Sequence, residues 1–249
     1  MILASDLDRT LIYSKRFLQQ YPTTAPLVLV ENYQGEPLSY MSEASVAQVR
    51  WLIEHDAFVP VTTRTTAQYE RIFGLTALRP RYAITTNGAE ILHNGVKDER
   101  WAQHVASKRN PNYAKMYAYM TQLAGVERHY DVVHFMYAIT TALAPPEAAH
   151  IAQELGFTMS QQGRKLYFVP SHLTKWQAVD YVAEQLGTKQ VFAAGDSLLD
   201  VPMLEGAQHC LYMRHGTDGV SHLPMTTAVG IAATEEMLTT AIHYIKSAL

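Results

Sequence analysis

The chain opens on an apolar run that ends in two acids. Ile2-Leu3-Ala4-Ser5 has the character of a buried strand, and Asp6-Leu7-Asp8-Arg9-Thr10-Leu11 that of the loop it feeds. Ionised carboxylates are costly to remove from water without a partner, so this junction predicts a metal or reactive site at the strand's carboxyl end. In open α/β sheets that is where ligands bind. Asp6 and Asp8 stand two apart and face the same side of an extended backbone, where one can attack a phosphorus atom while the other handles a proton. A loop that merely caps the following segment would carry the same residues.

Further strands of this kind follow. Phe58-Val59-Pro60-Val61 reads as a second parallel strand closed by Thr62-Thr63-Arg64-Thr65, and Tyr82-Ala83-Ile84-Thr85-Thr86 as a third that ends in the turn-former Asn87-Gly88. A fourth, Gln190–Ala194, delivers Gly195-Asp196-Ser197-Leu198-Leu199-Asp200, and a fifth lies near His209–Met213. A helix capped by Ser42 runs to about His55, with Val46, Val49, Leu52 and Ile53 at helical spacing. Others span about Thr66 to Leu75, Lys175 to Leu186 with Thr174 as cap, and Thr234 to Lys246. Leu27–Val30 and Pro37–Tyr40 flank Gln34-Gly35-Glu36 as a hairpin, either a flap over the acidic loop or a plain surface hairpin.

Several of these positions carry chemistry. A hydroxyl at a strand end, as at Thr62, can bond a phosphoryl oxygen together with neighbouring N–H groups, although a helix cap accounts for it equally. Lys175 in a first helical turn opposes the helix dipole, which suggests an anionic target rather than a plain surface lysine. Gly195 permits a tight turn, and Asp196 and Asp200, four apart, can share one helix face.

Between about Ala89 and Arg164 the pattern changes. Asn94-Gly95 marks a hairpin between Ala89–His93 and Val96–Trp101. A helix at about Asn112–Leu123, a strand at about Asp131–Thr141, a helix from Pro145-Pro146 to about Leu155 and a strand near Phe157 complete a small α/β unit. Tyr113 and Tyr117 share a helix face there, as sugar-stacking rings or as local core. The core strand pattern resumes with Lys165–Pro170.

Taken in order, Asp6-x-Asp8-x-Thr10, the strand ending at Thr62, Lys175 ahead of its helix, and Gly195-Asp196 with Asp200 resemble the four motifs of the haloacid dehalogenase superfamily of phosphotransferases. Asn87-Gly88 and Val201-Pro202-Met203-Leu204 are similar to its Cof-like and sucrose-phosphatase-like members. The resemblance implies an α/β fold: a Rossmann-like parallel-sheet core over residues 1–88 and 165–249, with an inserted α/β cap over 89–164. It further implies a Mg²⁺-dependent phosphatase that hydrolyses a small phosphorylated metabolite, expected to be a sugar phosphate, through an aspartyl-phosphate.

In that scheme Asp6 is the nucleophile and Asp8 the acid and then the base. Mg²⁺ is held by Asp6, Asp196 and the carbonyl of Asp8. Lys175, Thr62 and Thr63 hold phosphoryl oxygens, Asp200 and Thr10 support them from behind, and Arg9, Arg64, Asn87 and Gly88 face the substrate. Leu199 and Arg9 depart from the pattern, which has a polar residue and often a small one there. A phosphosugar mutase and a non-catalytic ligand-binding member are the competing functions.

Composition narrows the partners. With a net charge of -3 and no basic run among the 20 Lys and Arg, nucleic acid is not an expected ligand. The single cysteine, Cys210, excludes an intramolecular disulfide and a multi-cysteine zinc site. No Gly-x-Gly-x-x-Gly or phosphate-binding Gly-rich Lys-Ser/Thr loop occurs. The lack of a membrane-length apolar run or a signal-like N-terminus sets the expectation of a cytoplasmic protein. A monomer is the expected state by default, since oligomeric state is not readable from the sequence.

Overall fold

The structure, a computed structural model, describes residues 1–217 and 220–248. The chain forms two compact units, Met1–Asp98 with Lys175–Leu249, and Glu99–Thr174. The first begins with β1 (Ile2–Ser5), β2 (Tyr13–Ser14), α1 (Lys15–Gln20), the hairpin β3 (Leu27–Tyr33) and β4 (Glu36–Ser42), and α2 (Glu43–Glu54). It continues with β5 (Phe58–Pro60), α3 (Thr66–Glu70), α4 (Phe73–Thr76), β6 (Tyr82–Thr85), β7 (Glu90–His93) and β8 (Val96–Lys97). The second unit holds α5 (Glu99–Ser107), α6 (Tyr113–Gln122), β9 (Val126–Asp131), β10 (Met136–Thr140), α7 (Glu147–Glu154), β11 (Phe157–Gln162) and β12 (Lys165–Pro170). The chain then returns to the first with α8 (Lys175–Gln185), β13 (Val191–Gly195), α9 (Val201–Gly206), β14 (His209–Tyr212) and α10 (Ile231–Ser247).

The first unit is built on a parallel sheet of order β14-β13-β1-β5. β1 is buried along its whole length and is paired on both edges, Leu3 lying opposite both Phe192 and Phe58. These three join Val49 and Leu52 of α2 and Met237, Leu238 and Ala241 of α10 in one core. Each of these side chains larger than Ala241 contributes about 1.5–3 kcal/mol by leaving water. The register aligns Ser5 with Pro60 and with Ala194, so the residues that follow these strands emerge at one edge. The hairpin turns Gln34-Gly35 and Asn94-Gly95 have positive φ at both residues, as two-residue turns between antiparallel strands demand. Ser42 caps α2 through its hydroxyl, which accepts the Ser45 N–H at 3.1 Å.

The inserted unit is an antiparallel sheet of order β11-β12-β10-β9 with helices against it. Met116 and Met120 of α6 and Ala152 of α7 pack with Met136, Phe157, Leu166 and Phe168.

The expected boundaries of the insert, 89–164, move to 99–174. At its start, β7 and β8 fold back on β6, pairing Ile91 with Ile84 and Lys97 with Leu92, so the Asn94-Gly95 hairpin stays with the first unit. At its end, Lys165–Pro170, read as the core resuming, is the apolar centre of the inserted sheet and pairs with both β10 and β11. The second arm of that hairpin stops at Lys97, and α5 takes over, burying Trp101 and Val105 four residues apart. Of the strand expected over 131–141 only Met136–Thr140 forms: Asp131, the last residue of β9, accepts the Val133 N–H at 2.8 Å and turns the chain, with Val133 at φ 72. β9 escapes a pattern reading because most of its residues are exposed.

The helix expected over 66–75 is broken at Ile72, whose ψ of 71 is not helical. This lets α4 approach β3 so closely that a Cβ on Gly74 would lie 2.5 Å from Val30. The third strand, β6, bonds antiparallel to β7 and meets the parallel sheet through the bridge Val61–Ile84. The last helix starts at Ile231, three residues earlier than read. Among the described residues no helix is long and apolar enough to cross a membrane.

Candidate active site

Asp6 directly follows β1, and its backbone N–H still donates to Ala194 of β13 at 2.9 Å. Its carboxylate accepts from the Lys175 ammonium at 2.6 Å, and the same ammonium donates to Asp200 at 2.5 Å. All three side chains are buried, and Lys175, the first residue of α8, is 1% exposed. A buried ammonium survives only when paired, which is why the dipole-opposing placement holds here. Burial is the main influence on Asp6 and pushes its carboxyl up to about 7; Lys175 pulls it down and Asp200 pushes it further up. Burial would lower Lys175, but Asp200 and Asp6 outweigh it and hold the ammonium above its ordinary range.

Asp196 and Asp200 come from the turn after β13. Asp200 is saturated: one oxygen meets Lys175, and the other accepts the Asp196 N–H at 3.1 Å, the Ser197 N–H at 2.9 Å and the Ser197 hydroxyl at 2.7 Å. A Cβ at Gly195 would lie 2.4 Å from the Cβ of Asp200, so only glycine lets the turn close. The carbonyl of Asp196 is fixed by the Tyr212 hydroxyl at 2.6 Å and the Thr217 N–H at 2.8 Å. Its side chain is different. The buried Oδ2 has no hydrogen-bond partner among the described residues and lies 3.3 Å from Arg9 Nε. Burial, then Asp6 and Asp200, hold the Asp196 carboxyl well above the usual range.

Oxygens of Asp6, Asp196 and Asp200 lie within 4.8 Å of one another. With Asp200 already saturated, Asp196 and Asp6 are the carboxylates able to take a cation. An unsatisfied buried oxygen beside a second carboxylate is the donor set a hard divalent ion requires.

Asp8 lies in a second arrangement on the same loop. Arg64 grips both its oxygens, at 2.7 and 2.8 Å, and donates its remaining arm to Glu31 at 2.7 Å. Arg64, expected to face substrate, is thus tied to the expected acid–base residue. Glu31 is fully buried, accepts the Ser39 hydroxyl at 2.7 Å and lies 3.4 Å from Arg71. It escaped the sequence reading because it continues the apolar run of β3. Shifts of register on either side of Glu31 let it and Val30, its neighbour, both face inward. An acid closing an apolar strand was the available signal. The hairpin therefore reaches the acidic loop, through Glu31. Glu31→Ala is expected to cost about 3 kcal/mol, since it strips Arg64 of a buried counter-charge; denaturant unfolding against the parent measures this.

Thr62 is buried, and its hydroxyl accepts the Arg64 N–H at 3.1 Å while its carbonyl accepts the Asn87 N–H at 2.9 Å. Asn87 and Gly88 form a buried left-handed turn with φ of 55 and 94. Thr63 is half-buried. Thr10 is buried with its carbonyl taken by the hydroxyls of Thr234, at 2.7 Å, and Tyr13, at 3.3 Å. Leu199, the other departure from the pattern, is buried at 5% exposure, an apolar residue in an apolar place.

Residues 1–217 match the model of the sucrose-6F-phosphate phosphohydrolase family. The chain belongs to that family. It is a phosphatase of the haloacid dehalogenase superfamily, with the expected parallel core and inserted α/β unit. Among similar solved structures is the sucrose-phosphatase from Synechocystis sp. PCC6803 in complex with sucrose and phosphate. It has 17% identity and a TM-score of 0.69 over 97% of this chain and 98% of that one. A trehalose-6-phosphate phosphatase related protein aligns at 14% identity and a TM-score of 0.54, over 99% and 100% of the two chains. A haloacid dehalogenase-like hydrolase from B. subtilis aligns at 16% and 0.59, over 96% and 99%. At these identities the likeness is one of fold. No individual protein of curated function matches the chain by sequence.

Proposed function

We propose that this family member is a Mg²⁺-dependent phosphomonoesterase for a small sugar phosphate, with Asp6 as nucleophile. The observation that carries the reading is the buried Asp6–Lys175–Asp200 arrangement with the unsatisfied Asp196 oxygen beside it. Asp6 attacks phosphorus and the sugar oxygen leaves, taking a proton from Asp8. An aspartyl-phosphate results, and Asp8 then takes a proton from the water that hydrolyses it. Lys175 holds phosphoryl oxygens with Thr62 and Thr63, and Asp200 keeps the ammonium aimed at Asp6. Asp6, Asp196 and the carbonyl of Asp8 would hold Mg²⁺. The ion supplies the positive charge that lets a dianionic phosphoryl group sit among carboxylates.

Arg64 orients Asp8 by gripping both its oxygens, and the proton transfers require that grip to loosen. A sugar as the leaving group is supported by the family's name and by the sucrose- and trehalose-phosphate relatives in fold.

Phosphate release from sucrose and trehalose phosphates, hexose phosphates and nucleotides tests the reading. Turnover of a sugar phosphate with Mg²⁺, abolished by chelator, is the expected result. Silence across the panel with Mg²⁺ present overturns it, and interconversion of sugar 1- and 6-phosphates without phosphate release replaces it with a mutase.

A further inference from the structure

Arg9 follows Asp8 in the left-handed region, at φ 63, a conformation that costs an arginine free energy and a glycine none. The surrounding contacts hold it there at both ends. Its Nη2 donates to the carbonyl of His215 at 2.8 Å. In return, the His215 ring bonds the Arg9 carbonyl through Nε2 at 2.7 Å. The direction of that second bond is set, because Nδ1 of the ring accepts the Gly230 N–H at 3.0 Å, leaving Nε2 to carry the proton. The guanidinium also lies over the Phe17 ring, 5.2 Å from its centre. So clamped, it stands with Nε 3.3 Å from Asp196 Oδ2, the one oxygen of that cluster singled out above as lacking a hydrogen bond. Nε is itself buried and has no hydrogen-bond partner among the described residues, so the contact is one of charge and not a formed hydrogen bond.

We propose that Arg9 is a built-in counter-cation of the acidic cluster, which sets how tightly the site holds a divalent ion. This rests on reading Asp6 and Asp196 as the carboxylates that take such an ion. A fixed positive charge within ion-pair distance of a ligand oxygen repels a second cation arriving at the same oxygen. It also offsets part of the charge of Asp6, Asp8, Asp196 and Asp200, which Lys175 and Arg64 do not balance in full. Arg9 therefore weakens divalent-ion binding and steadies the metal-free protein. The clamp to His215 matters because a mobile arginine would swing away when the ion arrived.

Calorimetric titration with Mg²⁺ alone, on the chelator-stripped parent, Arg9→Gly and Arg9→Gln, tests this without any turnover. Glycine suits the left-handed backbone, and glutamine keeps most of the side-chain length without its charge, so failure of one variant to fold leaves the other. Both variants are expected to bind Mg²⁺ at least fivefold more tightly than the parent. Without metal, both are expected to melt at a lower temperature at neutral pH and to recover when Mg²⁺ is added. Equal or weaker Mg²⁺ binding by the folded variants overturns the role of Arg9 and leaves the metal site standing. Absence of binding by the parent and both variants overturns the metal site itself.

Discussion

Asp6→Asn is expected to abolish phosphatase turnover, lowering kcat/KM by at least about a thousandfold, while leaving the metal-free protein no less stable than the parent at pH 8. The first half follows from removing the proposed nucleophile. The second follows from burial. With its folded value pushed up to about 7 from an ordinary value near 3.8, the Asp6 carboxyl binds its proton more tightly in the native state than in the unfolded chain. Its contribution to stability is then fully present below about pH 4 and is lost as pH rises through 7. Asparagine carries no charge and escapes this loss. The metal-free variant should therefore melt at or above the parent at pH 8, with the difference shrinking toward pH 5. Saturating Mg²⁺ should raise the parent's melting temperature more than the variant's. Thermal unfolding at both pH values, with and without chelator, measures all of this. A variant markedly less stable than the parent at pH 8 would show that the Lys175–Asp6 bond outweighs the burial of charge.

Lys175→Met is expected to do the reverse to stability. It leaves Asp6 and Asp200 buried without their shared ammonium, and a buried pair broken on one side costs about 3–5 kcal/mol. For a chain of this size that corresponds to a fall of roughly 10 °C in melting temperature. Methionine fills much the same volume, so lost packing contributes little. Activity should vanish as well. The two substitutions thus separate the roles of the pair, since both silence the enzyme but only the lysine change should unfold it readily. A melting temperature within about 2 °C of the parent would mean that both acids are protonated or solvated once the ammonium is gone.

The pattern of apolar runs ending in Asp6, Thr62 and Gly195-Asp196 was readable because each strand of a parallel sheet is buried on both faces and must end where polar groups begin. Lys175 was readable for a related reason, since a cation at a helix start is anomalous without a partner. The inserted unit was legible as a change of pattern but not in its limits. Lys165–Pro170 is equally apolar as the centre of an antiparallel insert or as a core strand, and residue type does not distinguish them. β9, an exposed edge strand, has no alternation to read.

What the sequence by itself determined is where acids, hydroxyls and a lysine follow apolar strands, and their order along the chain, because those are imposed locally, where a buried strand gives way to a polar loop. Tertiary structure alone decided which charges meet. Arg64 turns to Asp8 and Glu31 because register shifts in β3 bring an acid inward, 33 residues away in the chain. Arg9 is held against Asp196 because His215, 206 residues distant, locks it at both ends. Such pairings arise from the packing of strands and loops far apart in sequence, and no local pattern encodes them.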